Sequence, residues 1–481
     1  MEIAASGIDG APDIAGLTAD SREVRPGFLF AALPGSLHDG RDFIPDAIAR
    51  GAAAILTTSD YRAEAPASVP VITDAEPRRA FARAAAAFYG SQPAFAVAVT
   101  GTNGKTSVAS FARQTWTRLG HAAGSIGTIG VQSPEIVVEE SLTTPDPVML
   151  HALLARLAAS GVGHVALEAS SHGLDQYRVD GVRLRAAAWT NLSRDHLDYH
   201  GDMERYFRAK ARLFTEVLPD GGTAVLNADD ARFGQLEDLI GASRRIISYG
   251  VNGGDIEIVK LAPLADGMAV HLNVFGKPAD FAVGLIGSFQ AHNLCAALGL
   301  VLAEEGVDRD AAIAAAAGIT GARGRMELVA RRPNGAAVFV DFAHTPAALE
   351  TALTAIRPHV KGRLHVLFGA GGDRDRGKRP LMGAAAMTYA DHVCVSDDNP
   401  RSEDAAAIRR EVMAGCPDAV EIGGRAEAIA ACIAALGPED ALVIAGKGHE
   451  SGQTIAGVKH PFDDATVARQ AVLDLDGSLL R

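Results

Sequence analysis

The residues with the clearest chemical content are Gly101-Thr102-Asn103-Gly104-Lys105-Thr106. Glycines let backbone N–H groups converge on phosphate oxygens, a lysine adds a cation, and the hydroxyl that follows it can ligate Mg²⁺. That chemistry needs a strand before the loop and a helix after it. Phe95 to Val99 reads as a buried strand, and Ser107 to Leu119 carries Val108, Phe111, Trp116 and Leu119 at the spacing of one helical face. The loop departs from the longer Walker pattern, because the first glycine would fall at Val99 and Gly101 stands in its place. Nucleotide binding follows from these residues; a reaction does not.

Other local patterns fail as catalytic sites. His196-Leu197-Asp198-Tyr199-His200 has Leu197 where a zinc protease needs its glutamate. Ser171-His172 places a hydroxyl and an imidazole side by side in sequence, with no Gly-x-Ser-x-Gly elbow to make a hydrolase. Cys295, Cys394, Cys416 and Cys432 lack the close spacing of a zinc site or redox dithiol and read as small buried residues in a reducing compartment. A net charge of -13 argues against nucleic acid as the main partner. The start of the chain has no basic stretch before an apolar one, and no apolar run is long enough to cross a bilayer, so a cytoplasmic protein without membrane insertion is expected.

The elements that must position the loop follow from length and pattern. A chain of 481 residues, 48% hydrophobic and 21% charged, is globular and large enough for three cores. From Leu17 to Tyr89, short strands such as Phe28-Leu29-Phe30 and Ala53-Ala54-Ile55-Leu56 alternate with helical stretches, and Gly90-Ser91-Gln92-Pro93 breaks the pattern. Strands at Val165-Leu167, Ala187-Trp189 and Ala224-Leu226 continue a mostly parallel sheet around the phosphate loop. Ile256 to Ile286 reads as an antiparallel meander, and Ala291 to Gly318 as helical. Strands at Val338-Val340, Leu364-Phe368, His392-Val395 and Leu442-Ile444 then alternate with helices. The expectation is an α/β chain of three domains: a small α/β domain (1–91), a central P-loop domain with the meander appended (92–323), and a Rossmann-like doubly wound domain (324–481).

The run from Val99 to Thr106 resembles the ATP loop of the Mur ligases and folylpolyglutamate synthases. Thr18-Ala19-Asp20-Ser21-Arg22 with Pro26-Gly27 and Asp39-Gly40-Arg41 is similar to the UDP-sugar domain of the diaminopimelate- or lysine-adding Mur ligases. Leu142-Thr143-Thr144-Pro145, Glu168 to Leu174, Asp195 to Gly201, Asp341 to Pro346 and Gly446-Lys447-Gly448-His449-Glu450 also match, in order, so the likeness spans nearly the whole chain. Asp398-Asn399-Pro400-Arg401 resembles the recognition motif of the diaminopimelate-adding branch. Taken alone, an Asn-Pro pair reads as a turn. An arginine there has a chemical reason, since the distal end of diaminopimelate carries a carboxylate that a guanidinium can bind with two parallel hydrogen bonds and lysine lacks it.

The resemblance implies an ATP-dependent ligase that adds meso-diaminopimelate to UDP-N-acetylmuramoyl-L-Ala-D-Glu through an acyl phosphate, in peptidoglycan precursor synthesis, as a monomer; L-lysine addition is the alternative. It implies that Gly101, Thr102, Asn103, Gly104, Lys105, Thr106, Ser107, His292, Asn293, Arg325, Asp341 and His344 meet the nucleotide. Thr106, Glu168 and His196 are implied to hold or position Mg²⁺, with Lys210 as a carbamate (N6-carboxylysine) on a second Mg²⁺, although its helical context alone reads as a lysine facing water. Lys105, Glu168, His196 and Lys210 form the implied catalytic set. Ser21, Ser36, Leu37, His38, Thr143, Thr144, Ser170, Gln176 and Arg178 are implied for the UDP-linked substrate. Arg374, Asp398, Asn399, Pro400, Arg401, Gly446 and Glu450 are implied for diaminopimelate, with Glu450 suited to its ammonium and Arg374 to a carboxylate. Phe342 stands where the family often has tyrosine, and Asp404-Ala405-Ala406 lacks a proline common after the motif. A nucleotide-driven switch without an amine acceptor is the competing reading outside the ligases.

Overall fold

The computed structural model describes residues 12–35, 38–61, 69–138, 142–264 and 266–479. It divides into two compact units: residues up to Gly254 with Ala296–Ala312, and Asp255–Cys295 with Ile313 onward. No helix among the described residues is long and apolar enough to cross a membrane.

The first unit opens with four parallel strands in chain order, Gly16–Thr18, Phe28–Ala31, Ala54–Thr58 and Val71–Asp74. The helix Pro77–Tyr89 begins with proline, whose missing N–H costs nothing at that position, and packs Phe81 and Ala84 on Leu29, Ala31 and Leu56. Gly90, at φ +69°, ends it.

In the sheet that follows, Phe95–Thr100 runs parallel between His164–Glu168 and Leu184–Trp189. All six of its residues are buried, as a strand covered on both faces requires. Ala123–Gly127 flanks it on one side and Thr223–Asn227 and Arg245–Gly250 on the other, all parallel. The loops that carry Gly101, Ser170 and Asn191 leave the C-terminal ends of the three inner strands, where open α/β sheets bind ligands. The Ala-rich stretch is helical but not continuous. Helices Ser288–Val301 and Arg309–Ala317 are separated at Gly306, φ +85°, and Asp308 accepts from the N–H of Ala311 to start the second.

The second unit contains the expected antiparallel meander, Ile256–Leu264, Gly267–Val274 and Lys277–Val283. Its six-stranded sheet runs in the order Glu327–Arg331, Ala337–Asp341, Ala441–Ala445, Leu364–Phe368, His392–Val395, Val420–Glu421, parallel except for the first pair. Both faces are covered. Leu349, Leu353, Met382 and Ile408 build one core; Ile429, Ile433, Ala468 and Val472 build the other. Cys394 and Cys432, distant in sequence, meet in the second core as free thiols.

Beneath the loops of this sheet, Arg425 and Asp464 form an ion pair with both side chains 0% exposed. Nε and Nη2 of Arg425 each donate to the carboxylate at 2.7 Å, Nη2 also donates to the Ala445 carbonyl at 3.0 Å, and Nη1 donates to the Asp397 carbonyl at 3.2 Å. Removing one member leaves a buried charge uncompensated. Arg425→Leu is expected to destabilise the second unit by about 3–5 kcal/mol, and Arg425→Leu with Asp464→Leu by much less. Urea unfolding followed by circular dichroism measures both; equal losses in the single and double variants would sink the assignment.

Candidate functional site

The phosphate loop is held by the strand beside it. Gly101 has φ +148°, and a Cβ there would lie 1.9 Å from Thr190 Oγ1, so only glycine fits. Thr190 Oγ1 donates to the Asn103 carbonyl at 2.6 Å, Thr102 N–H donates to the Asn191 carbonyl at 2.8 Å, and Asn191 Oδ1 accepts from Asn103 N–H at 3.0 Å. Gly104, φ +89°, turns the chain into the helix Lys105–Arg118, where Thr106 and Ser107 are buried.

Two lysines meet on the Gly101 carbonyl: Lys105 Nζ donates to it at 2.9 Å and Lys210 Nζ at 2.7 Å. Lys105 also donates to the Thr102 carbonyl at 2.9 Å. Lys210 is 1% exposed, on the helix Met203–Arg212, with its ammonium position 4.7 Å from the centre of the Tyr206 ring. Its helical face is therefore inward, against the reading from residue type. Burial, and secondarily the Lys105 charge, hold the Lys210 amine well below its ordinary range. Burial pushes the Tyr206 phenol up to about 12, and its hydroxyl lies 3.2 Å from Thr102 Oγ1.

Glu168, 2% exposed, closes the other side of the loop. Its Oε2 accepts from Thr106 Oγ1 and Thr128 Oγ1, each at 3.0 Å, and Oε1 accepts from Thr128 N–H at 2.8 Å. Glu168 forms no ion pair among the described residues. A buried carboxylate with only neutral donors, beside a threonine hydroxyl, is an oxygen set suited to a hard cation. His196 sits apart in the loop after Trp189, exposed at φ +52°, with its ring 4.9 Å from His172 and 6.2 Å from Tyr206. No group of three His, Cys, Asp or Glu side chains able to hold a metal occurs among the described residues.

Most of the residues implied for the UDP-linked substrate gather around Glu168. Thr128 Oγ1 lies 2.9 Å from Thr143 Oγ1. Thr144 Oγ1 donates to the Glu168 carbonyl at 2.8 Å and accepts from Ser170 N–H at 2.9 Å, and Ser170 Oγ caps the short helix at Gly173. Arg178 donates to the Thr144 carbonyl at 2.8 Å and through Nη2 to Gln176 Oε1 at 2.7 Å. Ser21 is buried and His38 exposed beside Phe43, both in the first sheet's loops. Ser36 and Leu37 lie outside the described residues.

In the second unit, desolvation pushes the Asp341 carboxyl up while Arg325 opposes it; the carboxylate accepts from the N–H groups of Met326 at 2.7 Å and Ala343 at 2.8 Å. The Arg325 guanidinium stands 4.5 Å from the centre of the Phe342 ring, and His344 Nδ1 lies 2.8 Å from the Phe342 carbonyl. Phe342 thus offers Arg325 a flat apolar face. Asn293 donates to Gln290 at 2.9 Å on the helix that also carries His292.

Three loops at the C-terminal ends of the second sheet bring together Arg374, Asp398 to Arg401, Gly446 and Glu450. Arg401, at φ +53°, donates Nη1 to the Gly372 carbonyl at 2.6 Å and its N–H to the Thr454 carbonyl at 3.0 Å. Arg374, exposed, donates to the Asp373 carbonyl. Asn399 Nδ2 donates to Glu450 Oε2 at 2.8 Å, and Asp398 Oδ2 is buried without a hydrogen-bond partner among the described residues, 2.8 Å from where a Gly446 Cβ would fall. Arg379, 0% exposed, ties the loops by donating to the Gly371 carbonyl and to Glu403 and Glu411. Sequence reasoning missed Thr128, Asn191, Tyr206, Arg379 and Lys447 as parts of these sites. Only Lys447 carried a signal, its place between two glycines in a matched segment.

Family profiles match in the same order: a Mur ligase family catalytic domain over 13–89, the Mur ligase middle domain over 99–301, and the Mur ligase glutamate ligase domain over 324–448. Two proteins named UDP-N-acetylmuramoyl-L-alanyl-D-glutamate--2,6-diaminopimelate ligase are similar throughout. That of Caulobacter vibrioides is 50% identical, over 97% of this chain and 96% of its own, and that of Agrobacterium fabrum is 48% identical, over 98% and 95%. A solved structure of a ligase with that name has 34% identity and a TM-score of 0.72, covering 96% of this chain and 95% of its own. The Thermotoga maritima MurF ligase with ADP, at 18% identity and TM-score 0.60 over 95% of this chain and 96% of its own, shares the fold.

The loop geometry yields a test. Gly101→Ala is expected to abolish ATP binding, because the methyl group displaces the Thr190 hydroxyl and the φ is strained for any other residue. Titration calorimetry with ATP, beside a circular dichroism spectrum like that of the wild type, measures it; wild-type affinity would refute the close approach.

Proposed function

Because the chain belongs to the Mur ligase family, an ATP-dependent group that forms C–N bonds, we propose that it joins meso-2,6-diaminopimelate to UDP-N-acetylmuramoyl-L-alanyl-D-glutamate in peptidoglycan precursor synthesis, in the cytoplasm. The observation that carries the reading is identity at about half of all positions, over nearly the full length, with ligases of that name. We assign the three domains, 1–91, 92–323 and 324–481, to the UDP-linked substrate, ATP and the amino acid.

A carboxylate is a poor electrophile, so the γ-phosphoryl group of ATP is transferred to it first, and the amine then displaces phosphate from the acyl phosphate. The N–H groups of the loop from Gly101 to Ser107 and the Lys105 ammonium bind the nucleotide phosphates, and phosphate oxygens replace the loop carbonyls as partners of Lys105. Asn293, Arg325, Asp341 and His344 contact the rest of the nucleotide, with His292 alongside. Thr143, Thr144, Ser170, Gln176 and Arg178 orient the peptide end of the UDP-linked substrate, and Ser21, Ser36, Leu37 and His38 its nucleotide end.

Thr106, Glu168 and His196 would hold Mg²⁺, with Lys210 as a carbamate. A metal held there would supply positive charge to offset the negative charge developing during phosphoryl transfer. The depressed Lys210 amine supports carbamylation, because only a neutral amine can attack CO₂, losing a proton as the N–C bond forms. Lys210→Ala is expected to be nearly inactive, unaffected by bicarbonate and partly restored by short-chain carboxylic acids. Phosphate-release assays decide it, and full activity of the alanine variant would rule the role out.

For the amino acid, Arg401 takes the distal carboxylate, Arg374 a carboxylate and Glu450 the distal ammonium, with Asp398, Asn399, Pro400 and Gly446 completing the site from two neighbouring loops. The Gly372 carbonyl uses one Arg401 nitrogen, and the remaining N–H groups can form the paired contact. Arg401→Ala should lower kcat/KM for meso-diaminopimelate by about 2–5 kcal/mol, L-lysine far less, and Arg401→Lys should not restore it. The assay is phosphate release with ATP, Mg²⁺ and the UDP-linked substrate, comparing the two amino acids. Equal use of L-lysine by the wild type, or equal losses in the variant, would overturn the specificity; phosphate release without any amine would favour a nucleotide switch.

A further inference from the structure

We propose that Lys447 is a positioning residue for amino-acid specificity: its ammonium locks Asn399 and Glu450 together so that one Glu450 oxygen is presented to the distal ammonium of the incoming amino acid. This rests on the reading of the site given above and adds the residue that sets its geometry.

Lys447 is 0% exposed, between Gly446 at φ +113° and Gly448 at φ +55°, which turn the chain tightly after the strand Ala441–Ala445. Its Nζ donates to the Gly452 carbonyl at 2.6 Å and to Asn399 Oδ1 and Glu450 Oε2, each at 3.2 Å. Three N–H groups meet three acceptors, so this ammonium is fully used and has none left for a ligand. A buried ammonium with fewer partners would be costly.

The lock runs through Asn399. Its Oδ1 accepts from both Lys447 Nζ and the Thr454 N–H, at 2.9 Å for the latter. Two donors on Oδ1 fix which end of the amide is oxygen, and Nδ2 is left to donate to Glu450 Oε2 at 2.8 Å. Both bonds received by Glu450 therefore fall on Oε2, while Oε1 accepts none among the described residues. The Glu450 side chain is 37% exposed and without these bonds would sample several rotamers. Lys447 thereby joins the recognition loop at Asn399 to the 446–452 loop, each of which carries part of the proposed amino-acid site.

The test compares meso-diaminopimelate with 2-aminopimelate, which keeps the reacting centre and the distal carboxylate but lacks the distal ammonium. Full-length wild type, Lys447→Met and Lys447→Gln are assayed at saturating ATP and UDP-linked substrate, measuring KM and kcat for meso-diaminopimelate, the competition constant for 2-aminopimelate and the KM for ATP. KM for meso-diaminopimelate should rise tenfold or more, the 2-aminopimelate constant less than threefold, with the ATP constant held. Equal weakening of both ligands, or no change in either, overturns the role. Loss of the folded state in both variants assigns Lys447 to stability alone and overturns it too. A wild type that accepts L-lysine as readily as meso-diaminopimelate would overturn the underlying specificity reading, an outcome distinct from any of these.

Discussion

The carbonyl oxygen of Gly101 accepts from two lysines, and the phosphate-loop end of the first unit is arranged around that contact. Burial first, and the neighbouring Lys105 charge second, disfavour the charged form of Lys210 and hold its amine well below the ordinary range. The oxygen points where it does because Gly101 adopts a φ open only to glycine, and it stays there because Thr190 and Asn191 hold the loop from the adjacent strand. A parallel order that places Leu184–Trp189 beside Phe95–Thr100 is thus a requirement of the chemistry as much as of the core.

From that loop the hydrogen bonds continue without a break. Thr106 joins Glu168, Glu168 joins Thr128 and through it Thr143, and the Glu168 backbone joins Thr144 and Ser170. The phosphate loop and the residues proposed for the UDP-linked substrate therefore share one buried carboxylate. A shift of Glu168 on cation binding would be felt by both, which is the coupling an acyl-phosphate mechanism needs: the phosphoryl donor and the acceptor carboxylate must be in line before transfer.

Fold and site were legible in the sequence to different depths. Phe95–Thr100 and Leu364–Phe368 were readable because strands buried on both faces are predominantly apolar, broken here only by Thr100 at an end and by His365. The break at Gly306 was not read, because an alanine-rich composition is helical on both sides of it. Gly101, Lys105 and Thr106 were readable because a phosphate loop is local. Thr128 and Asn191 were not, because each meets the loop or Glu168 from a strand end distant in sequence, and neither stands in a local pattern that marks it. Lys210 shows the limit most clearly. A lysine in a helix of charged pattern reads as solvated, and only the packing of Met203–Arg212 under the loop turns it inward.

The second unit handles its charges by a related device. Arg379, Arg425 and Lys447 are each 0% exposed, and each donates to backbone carbonyls of loops that carry proposed amino-acid ligands: Gly371, Asp397 with Ala445, and Gly452. Apolar residues of similar volume would fill the same space and often do so more stably. They could not, however, specify where a carbonyl or a carboxylate points. Loops that leave a sheet have no ladder to fix them, and a buried cation with several donors can fix two or three strand ends at once. The sheet then supplies the scaffold, while the cations beneath its loops fix the carbonyls and carboxylates of the proposed amino-acid site.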